Sequence, residues 1–296
     1  MPPIQLHGCD PALLRDDGKE YMMGIDEAGR GPTLGPMVYG SAFCAIEDEA
    51  KVKAMGFMDS KQLTEAKRDD LWERLQTCGF IGWRIRVLEA EEISEGMLRK
   101  HAKYNLNAMS HDAAIGLVQQ VLDLGVNLRR LYVDTVGDPE RYQAKLAALF
   151  PSLHVVVEKK ADATFPIVSA ASICAKVPRD TLLGDWTFED PRVCTDRQWG
   201  CGYPSDKDTQ RWMKDNLHPI FGYPNIVRFS WGPTTEVLDK NPAQHGAAIV
   251  NWHDADAAAA NQQRQSMAAF LGSSKKQKVQ RHRLMHEAML EPVSSW

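Results

Sequence analysis

Residues 21–36, with the sequence YMMGIDEAGRGPTLGP, guide the interpretation of the rest of the chain. The apolar run YMMGI predicts a short buried strand. The run ends on the adjacent carboxylates Asp26 and Glu27, and the tight-turn sequence of residues 29–32 follows. Open α/β sheets usually bind ligands where strands end. Two neighbouring acids repel each other unless they are protonated or bridged by a cation, and oxygen ligands suit a hard cation such as Mg²⁺ or Mn²⁺.

Composition narrows the class of protein. The chain has 296 residues, a formal net charge of −4 and 44% hydrophobic residues, which suits one large domain or a domain with an appendage. No apolar run reaches the roughly 20 residues of a membrane span, and the N-terminus lacks the pattern of a secretory signal. The six cysteines lack paired spacing, which is typical of free thiols in a reducing compartment. Mild acidity does not exclude nucleic-acid binding, because binding depends on local patches.

Strand and helix patterns alternate along the middle of the chain, which predicts an α/β sheet. The predicted strands after the first cover residues 37–46, 81–87, 131–133 and 153–158. The first predicted helix begins after Thr64, and the second extends across 90–124. The third follows residue 139 and runs to about residue 150, and the fourth covers 167–177. Pro178 favours an end or a kink of the last helix, because proline inside a helix costs about 3 kcal/mol.

Acids recur at three strand-end or post-strand positions: Asp26 with Glu27, Asp134, and Asp162. Taken singly, Asp134 fits an ordinary turn, since VDTVGDP is good turn chemistry, and Asp162 could cap a turn. Four carboxylates converging on one cleft would be intolerable in a purely structural site. Two divalent cations would explain them, because such a pair can activate water and stabilise the leaving oxygen in phosphodiester hydrolysis.

Longer motifs surround these acids. DEAGRG, LYVDTVGD, KKADATFPIVSAASICAKV, GYPSD and HPIFGYPNIVRFSW occur in this order, and together they resemble the eukaryotic type 2 ribonuclease H branch of the ribonuclease HII family over residues 21–231. The resemblance implies an α/β fold with a ribonuclease H-like mixed β-sheet flanked by helices and a helical C-terminal extension. It also implies catalytic, metal-binding acids and two divalent ions, Mg²⁺ or Mn²⁺; the acids are Asp26, Glu27, Asp134 and Asp162.

The same resemblance implies contacts with the substrate. Gly29, Arg30 and Gly31 would clamp the scissile phosphate and the neighbouring 2′-OH, the group that distinguishes RNA from DNA. Tyr203 would stack on the sugar at the RNA–DNA junction. Without the family, a tight turn and a surface tyrosine are the simpler interpretations. Further implied contacts with the nucleic-acid backbone are Ser60, Lys61, Lys176 and Arg179. The last two are also explained as solvated helix charges, and Pro178 leaves the placement of Arg179 open.

The activity implied by the resemblance is endoribonuclease cleavage of RNA–DNA hybrids and of single ribonucleotides embedded in duplex DNA. Two-metal hydrolysis would leave 5′-phosphate and 3′-hydroxyl ends. The chain would be the catalytic member of a heterotrimer with two non-catalytic subunits, B and C. One alternative is a metal nuclease of the same scaffold with another substrate, which the 29–31 turn and Tyr203 argue against. The other is a non-catalytic hybrid-binding subunit, which the presence of all four acids argues against.

The predicted organisation has three parts: a leader over 1–18, a catalytic domain with a helical C-terminal part over 19–240, and a partly flexible appendage over 241–296 that could dock partners. Residues 264–271 faintly resemble a sliding-clamp binding box, with an amphipathic docking helix as the alternative. The basic run 275–283 predicts an import signal and therefore the nucleus, with a solvated tail as the alternative.

Overall fold

The computed structural model describes residues 6–9, 18–57, 63–99, 102–135, 137–188 and 197–247. The chain divides into two compact units: Met1–Leu217 with Tyr223–Thr235, and His218–Gly222 with Glu236–Trp296. In the second unit, the described residues contain a π-helical segment, Glu236–Lys240, a 3₁₀ helix, Pro242–His245, and a bridge between His218 and Gly222. The first unit contains the sheet and the site residues described below.

A mixed sheet of six strands organises the described part of the first unit. In chain order the strands are β1 (His7–Gly8), β2 (Tyr21–Ala28), β3 (Met37–Ala45), β4 (Gly82–Leu88), β5 (Leu128–Asp134) and β6 (His154–Glu158). Their spatial order is β1-β4-β3-β2-β5-β6. Strand β2 is antiparallel to β3 and parallel to β5, and β5 is parallel to β6. The sheet therefore changes from antiparallel to parallel at β2, the strand that carries Asp26.

Helices cover both faces of this sheet. The helices of the described residues are α1 (Glu49–Ala54), α2 (Glu65–Thr77), α3 (Ala90–Leu98), α4 (Leu106–Asp123), α5 (Pro139–Leu149), α6 (Ala161–Thr164), α7 (Pro166–Gly184), α8 (Lys207–Asp215) and α9 (Gly232–Thr235). One apolar core joins the sheet to α4 and α5. A second core joins the opposite face to α2 and α7. The predicted α/β class is confirmed.

Helix α7 packs very closely against the middle of the sheet. A Cβ atom at Gly24 would lie 2.5 Å from the carbonyl oxygen of Ile167, and one at Gly40 would lie 2.5 Å from that of Ala171. Any larger residue at either glycine would therefore push the helix away from the sheet. The close approach explains why the 167–177 stretch is small and apolar, and it brings α7 alongside the end of β2.

Three local predictions were wrong. The helical stretch over 90–124 is two helices, because Asn105 has an extended backbone and its side chain accepts a hydrogen bond from the N–H of Ala108, which caps a new helix. Helix α7 continues through Pro178 to Gly184, so of the predicted end or kink at Pro178 the end is wrong. Strand β2 continues beyond Ile25 to Ala28, so its two acids lie inside the strand.

Neither a disulfide nor a membrane-spanning helix is found in the described residues. Cys44 and Cys174 are buried, and burial raises the pKa of both thiols, which keeps them protonated and poorly reactive. The described helices lack the combination of length and apolar character that crossing a bilayer requires.

Candidate active site

Asp26 and Asp134 occupy equivalent positions on the neighbouring parallel strands β2 and β5. The strand register pairs Ile25 with Val133, so the next residue of each strand is an acid. Side chains alternate between the faces of a sheet, and Tyr132, two residues before Asp134, belongs to the core beneath α7. The two acids therefore lie side by side on the face that α7 covers.

Glu27 follows Asp26 in β2, so its side chain leaves the strand on the opposite face of the sheet. Burial, followed by the charge of Glu27, raises the pKa of both Tyr39 and Tyr142, which belong to the core beneath α4 and α5. Glu27 is nevertheless close enough to Asp26 to raise the pKa of that carboxyl group. The adjacent acids thus reach the strand end from opposite sides of the sheet.

The fourth predicted acid is brought to the same edge by α6. Asp134 Oδ1 accepts hydrogen bonds from the N–H of Thr135 at 3.0 Å and from the N–H of Ala161 at 3.2 Å. Ala161 is the first residue of α6, and Asp162 is the second. Asp162 is buried, and its backbone carbonyl oxygen accepts a hydrogen bond from Ser169 Oγ. We call Asp26, Glu27, Asp134 and Asp162 the acid edge.

Burial and repulsion between carboxylates both act on the acid edge. Burial raises the pKa of Asp26 well above its ordinary value, and the charges of Glu27 and Asp134 raise it further. Hydrogen bonds from the N–H of Glu27, at 2.7 Å, and from Ser172 oppose this shift. A proton or a divalent cation would relieve the repulsion.

The donor chemistry of the acid edge fits a hard divalent cation. Its side-chain ligands are all carboxylate oxygens, which suit Mg²⁺ or Mn²⁺. Within the described ranges, no three His, Cys, Asp or Glu side chains are arranged to hold an ion as they stand. Mg²⁺ sites commonly use one or two carboxylates and complete the shell with water and substrate phosphates. The acid edge therefore fits such a site in donor type, without a complete protein cage.

The 29–31 turn lies directly beyond the acid edge and touches Tyr203. Gly29 has φ of 77°, a conformation that glycine adopts without strain. The Arg30 guanidinium donates to Ser110 Oγ at 2.7 Å and to Asn107 Oδ1, which anchors it to α4. A Cβ atom at Gly31 would lie 3.2 Å from Cε1 of Tyr203. Tyr203 is exposed, so its ring can contact a ligand beside the turn.

Arg228 holds this turn from behind, a role that the sequence did not reveal. The residue is fully buried. Its Nη2 donates to the carbonyl oxygen of Gly29, its Nη1 to that of Arg30 at 3.0 Å, and its Nε to that of Gly35 at 2.9 Å. Burial lowers the pKa of Arg228 to about 9, with repulsion from other arginines adding to the shift. The guanidinium is thus still charged at neutral pH, and all three donors remain in place.

Trp231 completes the support of the turn. Its indole Nε1 donates to the carbonyl oxygen of Gly31 at 3.0 Å, and the Arg228 guanidinium carbon lies 4.7 Å from its ring centroid. The two residues belong to the quoted segment HPIFGYPNIVRFSW, which is the signal that could have identified them. We call the 29–31 turn with Tyr203, Arg228 and Trp231 the turn cluster.

Comparisons with known proteins identify the family of the chain. Residues 23–234 match the family model described as Ribonuclease HII. This chain belongs to the ribonuclease HII family. It is 43% identical to the A subunit of human ribonuclease H2 over 288 residues, which cover 96% of this chain and 93% of that protein. It is 50% identical to the A subunit of ribonuclease H2 from Arabidopsis thaliana over 217 residues, 73% of each chain.

Solved structures of ribonucleases confirm the predicted ribonuclease H-like fold. The ribonuclease H2 of Pyrococcus horikoshii OT3 has a TM-score of 0.59 and 30% identity, and the match covers 74% of this chain and 98% of that one. The RNase HII of Archaeoglobus fulgidus, solved in a complex with PCNA, has a TM-score of 0.58 and 30% identity and covers 71% and 94%. The predicted enzyme class is confirmed as well: the chain is a ribonuclease H, a hydrolase.

The remaining predicted contacts occupy different positions in this ribonuclease. Arg179 is buried, and its guanidinium donates to the carbonyl oxygen of Cys201 at 3.1 Å and to Asp180 at 3.1 Å. This placement favours a positioning role behind the Tyr203 loop over a direct phosphate contact. Lys176 Nζ lies 3.0 Å from Asp180 Oδ1. Ser60 and Lys61 lie outside the described residues.

Proposed function

We propose that this chain is the catalytic subunit of a type 2 ribonuclease H that cleaves the RNA of RNA–DNA hybrids and single ribonucleotides embedded in duplex DNA. The observation that carries the proposal is the continuity of β2. This strand holds Asp26 and Glu27 of the acid edge and leads within two residues into Gly29, whose turn lies against Tyr203. Hydrolytic groups and the groups expected to recognise a 2′-OH are therefore adjacent.

The acid edge would hold two divalent ions, Mg²⁺ or Mn²⁺. When bound, such ions would supply an activated water and stabilise charge on the leaving oxygen. The raised pKa of Asp26 supports the proposal, because positive charge at this position would offset the repulsion between the carboxylates. Asp134 is held by the N–H of Ala161, so its second oxygen can serve a ligand. Cleavage would leave 5′-phosphate and 3′-hydroxyl ends.

The turn cluster would position the substrate. Glycines at 29 and 31 allow the backbone to approach a phosphate and a 2′-OH without an intervening side chain, and the 2′-OH is the group that marks RNA. Arg30 would contribute positive charge that Ser110 and Asn107 hold beside the turn. The exposed ring of Tyr203 would stack on the sugar at the RNA–DNA junction.

Partner proteins belong to the same proposal. The human and Arabidopsis relatives are each named as one lettered subunit of ribonuclease H2, which supports assembly of this chain with two non-catalytic subunits, B and C. The Archaeoglobus fulgidus relative was solved with PCNA, which supports a sliding clamp as a further partner. The segment 264–271 that would bind the clamp lies outside the described residues, as does the 241–296 appendage beyond residue 247.

A cleavage assay on duplex DNA with one embedded ribonucleotide tests the proposed activity. With the required partner subunits present, we expect incision that depends on Mg²⁺ or Mn²⁺ and leaves 5′-phosphate and 3′-hydroxyl ends. Binding without incision under any divalent condition would favour the non-catalytic hybrid-binding subunit. Incision of branched DNA but not of the ribonucleotide substrate would favour a nuclease with another substrate.

We further propose that the protein acts in the nucleus and that the basic run 275–283 directs its import. This run contains five Lys or Arg residues and no acid, a composition typical of import signals and nucleic-acid patches. Removal of the residues after Gly272, with partner subunits absent, should then shift the protein toward the cytoplasm. Full nuclear accumulation of the truncated chain would contradict import by this run and favour a solvated tail.

A further inference from the structure

Lys160 has an unusual backbone conformation immediately before the acid edge. Its φ of 59° and ψ of 41° lie in the left-handed region. Among the described non-glycine residues, it shares a positive φ only with Ala102. Glycine and asparagine adopt this conformation with less strain than lysine does. The presence of a lysine at this position therefore calls for an explanation in its side chain.

The backbone turn itself serves the acid edge. It ends β6 and begins α6, so that the N–H of Ala161 donates to Asp134 Oδ1 at 3.2 Å. Asp162 follows one residue later. Glycine at position 160 would allow the same turn, so the geometry alone does not require a lysine. The turn does place Lys160 directly before Ala161, which donates to Asp134, and two residues before Asp162.

The Lys160 side chain belongs to an exposed residue, and no ion pair or hydrogen bond to another described residue engages it. Other cations of the site are occupied: Lys176 lies 3.0 Å from Asp180 Oδ1, and Arg228 donates to three carbonyl oxygens. Lys160 therefore carries a positive charge that no described acid pairs with, on the residue that directly precedes Ala161 and Asp162.

We propose that Lys160 binds a phosphate of the nucleic-acid strand at the acid edge. This inference rests on the proposed substrate and extends it by one binding residue. A polyanion approaching the carboxylates meets like charge, and an ammonium group beside them offsets that repulsion. Lysine binds phosphate as a point charge, and phosphate contacts fix the position of a nucleic acid on a protein. The strained backbone is retained because glycine or asparagine would satisfy the turn but lack this charge.

Salt dependence separates a phosphate contact from a structural role. Each phosphate contact neutralised by a protein steepens the fall of log affinity with log salt by about 0.9 for duplex DNA. The experiment measures kcat/KM on an RNA–DNA hybrid across a range of KCl concentrations, with the complete complex and saturating Mg²⁺. The variants are Lys160→Gly, Lys160→Asn, Lys160→Arg and the neighbouring control Lys159→Gly.

We expect Lys160→Gly and Lys160→Asn to melt no lower than the unmodified protein, because both residues accept a positive φ. Their kcat/KM at low salt should fall about tenfold, the loss of one charge-assisted contact, and their salt slope should become shallower by about one. Lys160→Arg should recover most of both quantities. Lys159→Gly removes the same charge one residue away and should keep the unmodified slope.

The inference is overturned if Lys160→Gly and Lys160→Asn keep the unmodified kcat/KM and salt slope. It is also overturned if they lose activity with an unchanged slope, or if Lys159→Gly changes the slope as much as Lys160→Gly. Failure of the unmodified complex to cleave the hybrid would instead contradict the proposed function. The two failures are therefore distinguishable in one data set.

Discussion

The acid edge and the turn cluster are adjacent along β2, but they are built on opposite energetic principles. The acid edge concentrates like charges, and burial and two neighbouring carboxylates raise the pKa of Asp26. In the turn cluster, Arg228 and Trp231 donate to the carbonyl oxygens of Gly29, Arg30 and Gly31. Removing a group should therefore stabilise the metal-free fold at the acid edge and destabilise the fold at the turn cluster. Carboxylates that repel each other therefore lie beside a turn whose carbonyl oxygens have hydrogen-bond donors.

The largest expected effect is on catalysis, at the acid edge. Asp134→Asn keeps the shape of the side chain and removes the charge that a divalent ion needs, so cleavage should fall by at least about 10²-fold, the size of one lost electrostatic stabiliser. Hybrid binding should remain largely intact. Single-turnover cleavage and binding are measured at saturating Mg²⁺, with Asp123→Asn on α4 as a matched control. Activity near that of the unmodified protein would remove Asp134 from the catalytic set.

The next effect is on folding, at the turn cluster. Arg228→Met keeps the length of the side chain but leaves three carbonyl oxygens without their donor. Each orphaned buried group costs about 1–3 kcal/mol, so the free energy of unfolding should fall by roughly 3 kcal/mol or more. Denaturant unfolding measures this loss. Arg211→Met, which removes an exposed pair with Asp208, is the control and should change stability little. Equal losses in the two variants would contradict the supporting role of Arg228.

Substrate choice provides the second test of the turn cluster. If Tyr203 stacks on the sugar at the junction, Tyr203→Phe should keep much of the activity and Tyr203→Ala should lose it. Stacking contributes about 1–3 kcal/mol per base in comparable platforms, which corresponds to roughly 5- to 150-fold in rate. The loss should be larger for one embedded ribonucleotide than for a long hybrid, where phosphate contacts offer other registers. Equal losses on both substrates would return Tyr203 to the simpler account of a surface tyrosine.

The smallest expected effect is a pH dependence at the acid edge. The pKa of Asp26 is raised in the folded state, whereas an unfolded Asp titrates near 3.9. Between these values the folded state binds more protons than the unfolded state, so the free energy of unfolding falls as pH rises through the window. With a chelator present, the free energy of unfolding of Asp26→Asn should fall less steeply as pH rises. Matching pH profiles of melting temperature for the variant and the unmodified protein would contradict the shift.

The sequence predicted the two regions unequally. The acids could be found because each follows or ends an apolar run, and Gly29 because a tight turn needs it. The partners of the turn could not be found in this way, since Arg228 and Arg30 are 198 residues apart and a single arginine has no periodicity. Asn105 shows the same limit at short range: the capping bond to Ala108 outweighed a helical pattern that continued across it.

The central claim, that the acid edge is a divalent metal site whose carboxylates repel each other, is tested most directly by thermal unfolding in chelator and in Mg²⁺. The unmodified protein should melt at a higher temperature in Mg²⁺, because an ion that binds the folded state stabilises it. Asp134→Asn should melt higher than the unmodified protein in chelator, since less charge is confined, and should gain less from Mg²⁺. The claim would be contradicted if Mg²⁺ raised the melting temperature of both proteins equally and Asp134→Asn melted no higher than the unmodified protein in chelator.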